Sequence, residues 1–348
     1  MNKTINLGNT LIGEKQSTYI IAEMSANHAG NFERAKEIIH AAKEAGADCI
    51  KIQTYTADTM TLDSDKEYFK LKKGTWKGEN LYSLYEKAYT PWEWQADLKE
   101  EAEKLGLDFF STPYEKTAVD FLEGLGVGFY KIASFEIIDI PLIKYIASKG
   151  KPIIMSTGMA TLSEIEEAVE AVKSQGNEDL CLLWCSSAYP AVLDDMNLKT
   201  IQHLKETFKV PVGLSDHSLG SASAVAAVTL GAKVIEKHLC LSRENASVDS
   251  SFSMEPAEFK KMVEDTRMAE QAVGEVSYGL SEREEISRRS RKSIFVVKGI
   301  KKGQKLTEDN IRIIRPGHGL KPKYYDLVLG REAKVDIEAN EPLTWEKI

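Results

Sequence analysis

Two histidines each follow a short apolar run in the second half of the chain. His217 comes after the run VPVGLS, and His238 lies in VIEKHL, two residues after Glu236. The alternation of a strand puts Glu236 and His238 on one face and Lys237 on the other. Two imidazoles with hard oxygen neighbours favour Mn²⁺ or Mg²⁺ over a structural Zn²⁺. The pattern therefore indicates a divalent metal site, although a single histidine at a strand end is more often a hydrogen-bonded core residue.

Lysine and hydroxyl side chains occur in or just after the other apolar runs. Lys51 and Lys131 interrupt apolar sequences, where a charge is costly unless it meets an anion or a counter-ion. Lysines and hydroxyls together suit a phosphate and a carboxylate. The other polar residues at strand ends include Glu23, Gln53, Thr112, Ser134, Ser156, Ser187, Tyr189 and Ser215. Either lysine alone could form a structural ion pair, and Glu23 alone could cap a helix. The repetition at eight strand ends is what indicates a site.

Eight short apolar segments alternate with amphipathic helical segments over residues 19–274. Apolar residues in the helical segments recur at three- and four-residue spacing, and several segments end in glycine. Eight such units in series predict an α/β fold of the (β/α)8 TIM-barrel type, whose active site lies at the carboxyl ends of the strands. A doubly wound sheet is the alternative, but the sequence has no GxGxxG loop after its first strand.

The chain is predicted to contain two domains. Residues 1–276 form the barrel, and the insertion at 54–90 is expected to cover its active site. Residues 277–292 form a charged linker, and residues 293–348 form a small β-rich module.

Composition excludes several classes of protein. The chain has 348 residues, is 43% hydrophobic and 28% charged, and has a net charge of −8. A nucleic-acid-binding protein would carry a basic stripe, whereas the basic run at 283–292 fits a solvated linker. The sequence has no apolar run long enough for a membrane span and no apolar signal core. Four scattered cysteines without CxxC spacing predict a reduced, cytoplasmic protein.

Seven segments, in this order, resemble the sialic acid synthase family. They are IIAEMSANHAGN, AGADCIKIQTY, FFSTPYEKTAVDFL, YKIASFEIIDIPLI, MSTGMATLSEIEEAV, LSDHSLG and IEKHL. The tail containing IRPGHGL resembles the antifreeze-like (SAF) domain of that family, so the resemblance covers essentially the whole chain. AEMSANH, KAYTPWEWQ and VGEVSYGL are similar to the branch of the family that makes pseudaminic acid.

The resemblance implies an activity and its cofactor. The family condenses phosphoenolpyruvate with an open-chain N-acetylated aldose, releasing phosphate and forming a nine-carbon 2-keto acid. In the pseudaminic branch the acceptor is 2,4-diacetamido-2,4,6-trideoxy-L-altrose, and N-acetylneuraminate or legionaminate synthesis is the alternative. The metal is expected to be Mn²⁺, with Mg²⁺ or Co²⁺ as alternatives.

The resemblance also implies roles for individual residues. The metal would be held by His217 and His238. Phosphoenolpyruvate would be contacted by Lys51, Thr112, Lys131, Ser134, Ser156 and Ser215, and the sugar by Glu23, Gln53, Tyr189 and Asp249. Ser187 stands where neuraminate synthases carry an asparagine, so its shorter side chain departs from the family pattern.

Two further expectations concern the partner subunit and catalysis. Arg315 matches the arginine that reaches the site from the partner, which implies a homodimer with a swapped C-terminal domain. Glu23 is the candidate for proton transfer or for orienting a sugar hydroxyl. Glu236 is grouped with the catalytic residues because it shares a strand face with His238.

Two readings compete with this one. A Schiff-base aldolase could use Lys51 or Lys131, because a lysine inside a barrel can form an imine. The C-terminal module could instead be a protein- or carbohydrate-binding unit on an inert barrel. That reading explains the tail but not the eight polar strand ends.

Overall fold

Eight parallel strands form a closed barrel in the computed structural model, which describes residues 4–245 and 247–348. The barrel strands are β3 (Tyr19–Glu23), β4 (Cys49–Thr54), β5 (Asp108–Pro113), β6 (Tyr130–Ile132), β7 (Ile153–Ser156), β8 (Leu180–Cys185), β9 (Val212–Asp216) and β10 (Val234–His238). Each strand pairs with the next in sequence, and β10 closes the ring on β3, with His238 beside Glu23. The predicted (β/α)8 fold class is confirmed.

Helices follow the strands as the apolar spacing predicts. They are α1 (Phe32–Glu44), α4 (Trp92–Lys104), α5 (Lys116–Leu125), α6 (Ile140–Ala147), α7 (Leu162–Lys173), α8 (Thr200–Phe208), α9 (Ala222–Thr229) and α10 (Pro256–Val273). Polar caps fix several starts: the Asn31 side chain accepts a hydrogen bond from Arg34 N, and Thr161 and Glu164 form a capping box. None of the helices in the described part of the chain could cross a membrane.

Strand alternation divides the barrel residues into two layers. Ile235 and Leu239 face outward and pack with the helices, while Val234 faces the barrel interior. Lys237 also faces outward, as predicted, and its Nζ lies 2.7 Å from Oδ2 of Asp216. Both side chains of this pair are fully buried, so each charge depends on the other.

An N-terminal hairpin that the sequence analysis did not predict covers the amino-terminal end of the barrel. Strands β1 (Ile5–Leu7) and β2 (Thr10–Ile12) pair antiparallel around Gly8 and Asn9. Ile5, Leu7 and Ile12 pack with inward-facing barrel residues, including Tyr19 and Phe110. Burying each aliphatic side chain contributes about 1.5–3 kcal/mol, which holds the hairpin in place.

The insertion after β4 is structured. It contains α2 (Ala57–Met60), a 3-10 turn at Glu67–Phe69 and α3 (Leu81–Ala88). Its two ends are tied to the barrel: Trp92 Nε1 donates to the carbonyl oxygen of Tyr55 at 3.1 Å, and Thr90 Oγ1 lies 3.3 Å from His28 Nε2. The segment that begins at Thr54 is therefore held at the carboxyl end of the strands.

The chain divides into two compact units after Gly274. The second unit, Glu275–Ile348, contains α11 (Glu282–Arg288), β11 (Ser293–Val296), β12 (Ile311–Ile314) and α12 (Tyr325–Val328). Strands β11 and β12 pair antiparallel. They enclose a core of their own, made of Ile294, Val296, Ile300, Leu306, Ile311, Val328, Ala333, Ile337, Leu343 and Ile348. The polar residues expected to do chemistry all lie in the first unit, apart from Arg315.

Candidate active site

A cavity of about 440 Å³ opens at the carboxyl ends of the barrel strands. Most of the site residues predicted from the sequence line it: Lys51, Gln53, Lys131, Ser134, Ser156, Tyr189, Ser215, His217, Glu236, His238 and Asp249. Their convergence follows from parallel strands, whose carboxyl ends share one edge. Four predicted residues, Glu23, Thr112, Ser187 and Arg315, do not line the cavity.

Lys51 is the centre of a buried charge cluster on the cavity floor. Its Nζ lies 2.8 Å from Oε2 of Glu23 and 2.7 Å from Oε1 of Glu236. Burial opposes the charge of Lys51, but the two carboxylates outweigh it and raise its pKa above the ordinary value. For Glu236, burial is likewise outweighed by Lys131 and Lys51, which lower the pKa of the carboxyl group. Lys51 is therefore a charged lysine that already has its counter-ions.

Lys131 differs from Lys51 because no carboxylate lies within hydrogen-bonding distance of its ammonium group. Its Nζ donates to Ser156 Oγ at 2.6 Å and lies 3.9 Å from Oε1 of Glu236. Burial, with a contribution from Lys51, lowers the pKa of Lys131 to about 8, although Glu236 opposes the shift. A bound anion would compensate this under-neutralised charge, so the ammonium and the Ser156 hydroxyl form the best anion site in the cavity.

A chain of hydrogen bonds leads from Glu23 to the loop after β10. Gln53 Nε2 donates to Glu23 Oε1 at 3.2 Å and to Ser25 Oγ at 3.0 Å. Ser25 Oγ in turn donates to Asp249 Oδ2 at 2.5 Å. Burial raises the pKa of Glu23 despite the opposing charge of Lys51, and burial also raises that of Asp249. Glu23 thus supports the cavity floor from below, beside the predicted sugar-side residues.

His217 and His238 face each other across adjacent strand ends, with ring centroids 5.3 Å apart. Nδ1 of His217 lies 3.0 Å from the carbonyl oxygen of Ser186, which leaves Nε2 as the ring nitrogen available to a ligand. Nδ1 of His238 is buried without a hydrogen-bond partner in the described part of the chain. Burial and the neighbouring His217 lower the pKa of His238 well below its ordinary value, so its imidazole is neutral.

This pair fits a divalent ion that takes its remaining ligands from water and substrate. The fixed His217 ring leaves Nε2 free, and His238 has an unpartnered nitrogen, so each histidine has a nitrogen that could bind the ion. Over residues 4–245 and 247–348, no group of three or more His, Cys, Asp or Glu side chains is arranged to hold a metal. Few protein ligands and many oxygen positions are typical of Mn²⁺ and Mg²⁺ rather than of structural Zn²⁺.

Of three predicted serine and threonine residues, Ser134 lines the cavity, whereas Ser187 and Thr112 do not. Gly158 N donates to Ser134 Oγ at 3.1 Å, and a Cβ on Gly158 would lie 2.2 Å from Oγ of Ser187. Only a glycine at position 158 therefore lets the Ser134 and Ser187 hydroxyls lie this close to the backbone. Thr112 is buried at the end of β5, and its Oγ1 has no partner among the described residues, which suits a ligand contact.

Aromatic side chains form the upper part of the cavity. The ring of Tyr189 lies 4.4 Å from that of His217 and 5.1 Å from that of Phe252, measured between centroids. Trp76 of the insertion packs against both, at 5.6 Å from Tyr189 and 6.2 Å from Phe252. The insertion therefore lines the cavity, and Tyr189 connects it to the histidines.

Glu136, Cys185 and Phe252 are among the cavity residues that were not predicted from the sequence. Glu136 lines it with an unpartnered Oε2, and burial raises the pKa of this carboxyl group to about 7 although Lys131 opposes the shift. Cys185 lines it with Sγ 3.6 Å from Nδ1 of His217. Glu136 and Cys185 could have been found, because each ends or follows a predicted strand.

Arg315 lies elsewhere in the chain. It follows β12 in the second unit, and its side chain is exposed there. Its predicted role in the site of a partner subunit stays a prediction.

The arrangement combines an anion site, two imidazoles suited to a metal, buried carboxylates and an aromatic upper wall. Such a cavity can hold a small anion beside a larger, partly apolar molecule that carries a carbonyl group. Fixed charges in a water-poor site stabilise charge that develops during a reaction.

Comparison with known proteins agrees with this description. A model described as the NeuB family matches residues 38–278, and a SAF domain model matches residues 291–348. The pseudaminic acid synthase of Campylobacter jejuni strain 81-176 is 48% identical over 94% of this chain and 96% of its own. The pseudaminic acid synthase of Helicobacter pylori is 46% identical over 96% of this chain and 98% of its own.

A solved structure is also similar. The N-acetylneuraminic acid synthetase of Leptospira borgpetersenii, crystallised with citrate, superposes with a TM-score of 0.74 at 35% identity. The match covers 83% of this chain and 97% of that one.

Proposed function

This chain belongs to the NeuB family, and from that membership and the cavity we propose that it makes pseudaminic acid. It condenses phosphoenolpyruvate with 2,4-diacetamido-2,4,6-trideoxy-L-altrose and releases phosphate. The observation that carries this choice is near-full-length identity of 46–48% with two pseudaminic acid synthases. N-Acetylneuraminate and legionaminate synthesis are the alternatives, and the neuraminate relative is less similar, at 35% identity.

The anion site supports phosphoenolpyruvate as one substrate. Lys131 and Ser156 bind its negative groups, with Ser134, Ser187 and Thr112 as further hydroxyl donors. Glu23 and Glu236 neutralise the charge of Lys51. Lys51 therefore supports phosphoenolpyruvate binding mainly by balancing the two carboxylates, and less by attracting the anion directly. Binding then holds the reactive carbon of phosphoenolpyruvate beside the histidine pair.

The reaction balances with one water molecule. C3 of phosphoenolpyruvate attacks the aldehyde carbon of the open-chain sugar, and the electron pair of the C2–C3 double bond forms the new C–C bond. Water adds to the electron-poor C2, and phosphate leaves by cleavage of the C2–O bond. The former aldehyde oxygen takes up a proton. Glu23 lies beneath the floor, so it acts through Gln53, which donates to Glu23 Oε1 and lines the cavity, by orienting a sugar hydroxyl.

His217 and His238 would hold a divalent ion, Mn²⁺ in our proposal. When bound, that ion supplies Lewis-acid polarisation of the aldehyde oxygen. The two side chains orient the sugar carbonyl at the floor, and Tyr189 excludes water above them.

The enzyme works as a homodimer in which the C-terminal unit of one copy covers the barrel of the other. An apolar rim supports this part of the proposal. Large apolar side chains are exposed in the loops after β6 to β9 and at the start of α7: Phe135, Ile138, Met159, Leu162, Val192, Leu193 and Leu219. Exposed apolar side chains on neighbouring loops are typical of an interaction surface.

The four cysteines of the chain are free, and this fits the reducing cytoplasm as the compartment of the enzyme.

Phosphate release from phosphoenolpyruvate, measured with a panel of N-acetylated sugars, tests the proposal. We expect the highest kcat/KM with the diacetamido-trideoxy-altrose and a product whose mass is that of pseudaminic acid. An equal or higher value with N-acetylmannosamine or with the legionaminate precursor would assign a different sugar. Absence of phosphate release with every sugar would contradict the activity itself.

A Schiff-base aldolase is the second candidate, because the lowered pKa of Lys131 leaves part of its amine neutral near pH 8. Borohydride treatment with pyruvate separates the two. The synthase predicts no covalent adduct, whereas trapping on Lys131 would favour the aldolase.

A further inference from the structure

The insertion presents one apolar helix face to the cavity. Leu81, Leu84, Tyr85 and Ala88 of α3 all line it. Their spacing of three, four and seven residues places them on the same side of the helix. The inner face of α3 is therefore a continuous wall, defined by these four side chains and called the α3 wall below.

The α3 wall is held in place by ring contacts near the start of the insertion and by a hydrogen bond from its middle. Tyr85 packs edge-on against Tyr55, with centroids 5.7 Å apart, and Tyr55 packs edge-on against Tyr114 at 5.2 Å. In the middle of the insertion, Trp76 Nε1 donates to the carbonyl oxygen of Val248 at 2.9 Å. These contacts connect the insertion to loops on opposite sides of the barrel, so the wall has a fixed position.

The wall and the floor differ in chemistry. The floor carries Lys131, Glu236, Asp249 and the two histidines, whereas the wall offers three aliphatic side chains and the ring of Tyr85. A molecule that fills the cavity must therefore have one polar end and one end with apolar substituents. A sugar with a hydroxyl on every carbon can form hydrogen bonds with the floor, but its hydroxyls would find no partners on the aliphatic side chains of the wall.

The reacting end of the sugar fixes its direction. Its aldehyde carbon must reach the histidines and the anion site, so the opposite end of the six-carbon chain extends away from the floor. In 2,4-diacetamido-2,4,6-trideoxy-L-altrose that opposite end is a methyl group, with an acetamido group two carbons away. We propose that the α3 wall binds this C6 methyl group and thereby selects a 6-deoxy sugar; the inference rests on the proposed function.

An apolar wall can produce only a moderate preference in kcat/KM for the 6-deoxy sugar over a sugar with a hydroxyl on C6. An apolar pocket rejects a substrate that merely adds a hydroxyl by on the order of 100-fold at most, because the hydroxyl loses hydrogen bonds without a steric clash. We therefore expect the enzyme to prefer the 6-deoxy sugar by about 10- to 100-fold in kcat/KM over the matched sugar that carries a hydroxyl on C6.

The test compares two leucines of the insertion. Leu81→Gln places a hydrogen-bonding group on the α3 wall, while Leu62→Gln makes the same change at an exposed position, 68% accessible, that does not line the cavity. The two substrates are the diacetamido-trideoxy-altrose and 2,4-diacetamido-2,4-dideoxy-L-altrose, which differ only in the C6 hydroxyl. KM for each sugar, KM for phosphoenolpyruvate and kcat are measured for all three proteins.

We expect Leu81→Gln to reduce the preference for the 6-deoxy sugar to about 1- to 10-fold, one tenth of its original value. The change should appear in the KM of the sugars, and the KM of phosphoenolpyruvate should stay unchanged. Leu62→Gln should keep the wild-type preference. Ala88→Ser, a smaller change on the same wall, gives a second variant if Leu81→Gln folds poorly.

Turnover by the wild type without preference for the 6-deoxy sugar would overturn the inference, as would a preference unchanged in both wall variants. In either case the proposed function would stand. Absence of turnover with any N-acetylated sugar would instead overturn the proposed function, and the inference with it.

Discussion

Lys51 and Glu236 form an ion pair on the floor of the barrel, with 2.7 Å between Nζ and Oε1 and at most 5% of either side chain exposed. Oε1 of Glu236 also accepts a hydrogen bond from Ser215 Oγ at 3.4 Å and lies 3.9 Å from Lys131 Nζ. One carboxylate is therefore shared between two lysines. An incoming anion competes with Glu236 for Lys131, while Lys51 keeps Glu23 as a second partner.

Replacing Lys51 should destabilise the fold as well as stop the reaction. Lys51→Met leaves Glu23 and Glu236 buried without their cation, and breaking such a buried pair costs about 3–5 kcal/mol. Urea unfolding monitored by circular dichroism measures the loss. Lys72→Met removes an exposed lysine paired with Glu67 and should leave the unfolding curve unchanged. Equal stability of the Lys51 variant and the wild type would contradict the paired-charge description of the floor.

The histidine pair predicts a metal requirement. His217→Ala and His238→Ala should each abolish Mn²⁺ binding, measured by calorimetry, and turnover, while the circular dichroism spectrum stays native. Wild-type enzyme treated with a chelator should lose activity and recover it with Mn²⁺. His203→Ala, an exposed position on α8, serves as the control and should keep both properties. Full activity in excess chelator would remove the metal from the mechanism.

The lowered pKa of Lys131 predicts that phosphoenolpyruvate binds more weakly at basic pH. Its pKa lies near 8 in the free protein, so the ammonium that attracts phosphoenolpyruvate is present below that pH and is lost as the pH rises through it. We expect kcat/KM for phosphoenolpyruvate to fall above about pH 8, whereas kcat falls at a higher pH because the bound anion stabilises the charge. Lys131→Arg, which stays protonated, should remove the fall from whatever activity remains. A flat profile up to pH 10 would show that Lys131 does not titrate in this range.

The swapped dimer can be tested by mixing two inactive variants. His217→Ala disables the barrel, and Arg315→Ala disables the contribution expected from the partner subunit. If Arg315 acts in the site of the other copy, random pairing after co-refolding gives mixed dimers with one intact site, and about a quarter of the wild-type activity returns. If Arg315 acts within its own chain, the mixture stays inactive. Light scattering on the same samples measures the dimer.

The sequence was sufficient for the barrel and for most of its floor, because both follow from short-range rules. Strand alternation correctly placed Glu236 and His238 on one face and Lys237 on the other, and parallel strands brought Lys131 and Ser156 together. The pairing of Lys51 with two carboxylates could not be predicted, since it depends on the radius and stagger of the closed barrel.

The contacts of the insertion were equally inaccessible from sequence. Trp76 reaches Tyr189 and Phe252 across more than a hundred residues of chain, and nothing in its local pattern indicates which loops it meets. The N-terminal hairpin did leave a signal: Gly8 and Asn9 form a two-residue turn between two short apolar strands. Its strands have only three residues each, so the alternation was too short to be recognised.

The hairpin of β1 and β2 packs on the filled interior of the barrel, at the end opposite the cavity. Ile5, Leu7 and Ile12 occupy the far end, so molecules arrive and depart through the mouth beneath α3. A sugar bound beneath α3 would block the path between Lys131 and solvent, so an anion at Lys131 has to bind before the sugar does. Because Lys131 lies at the floor of this cavity, we expect the small anion to bind before the sugar and the phosphate to leave after the nine-carbon acid.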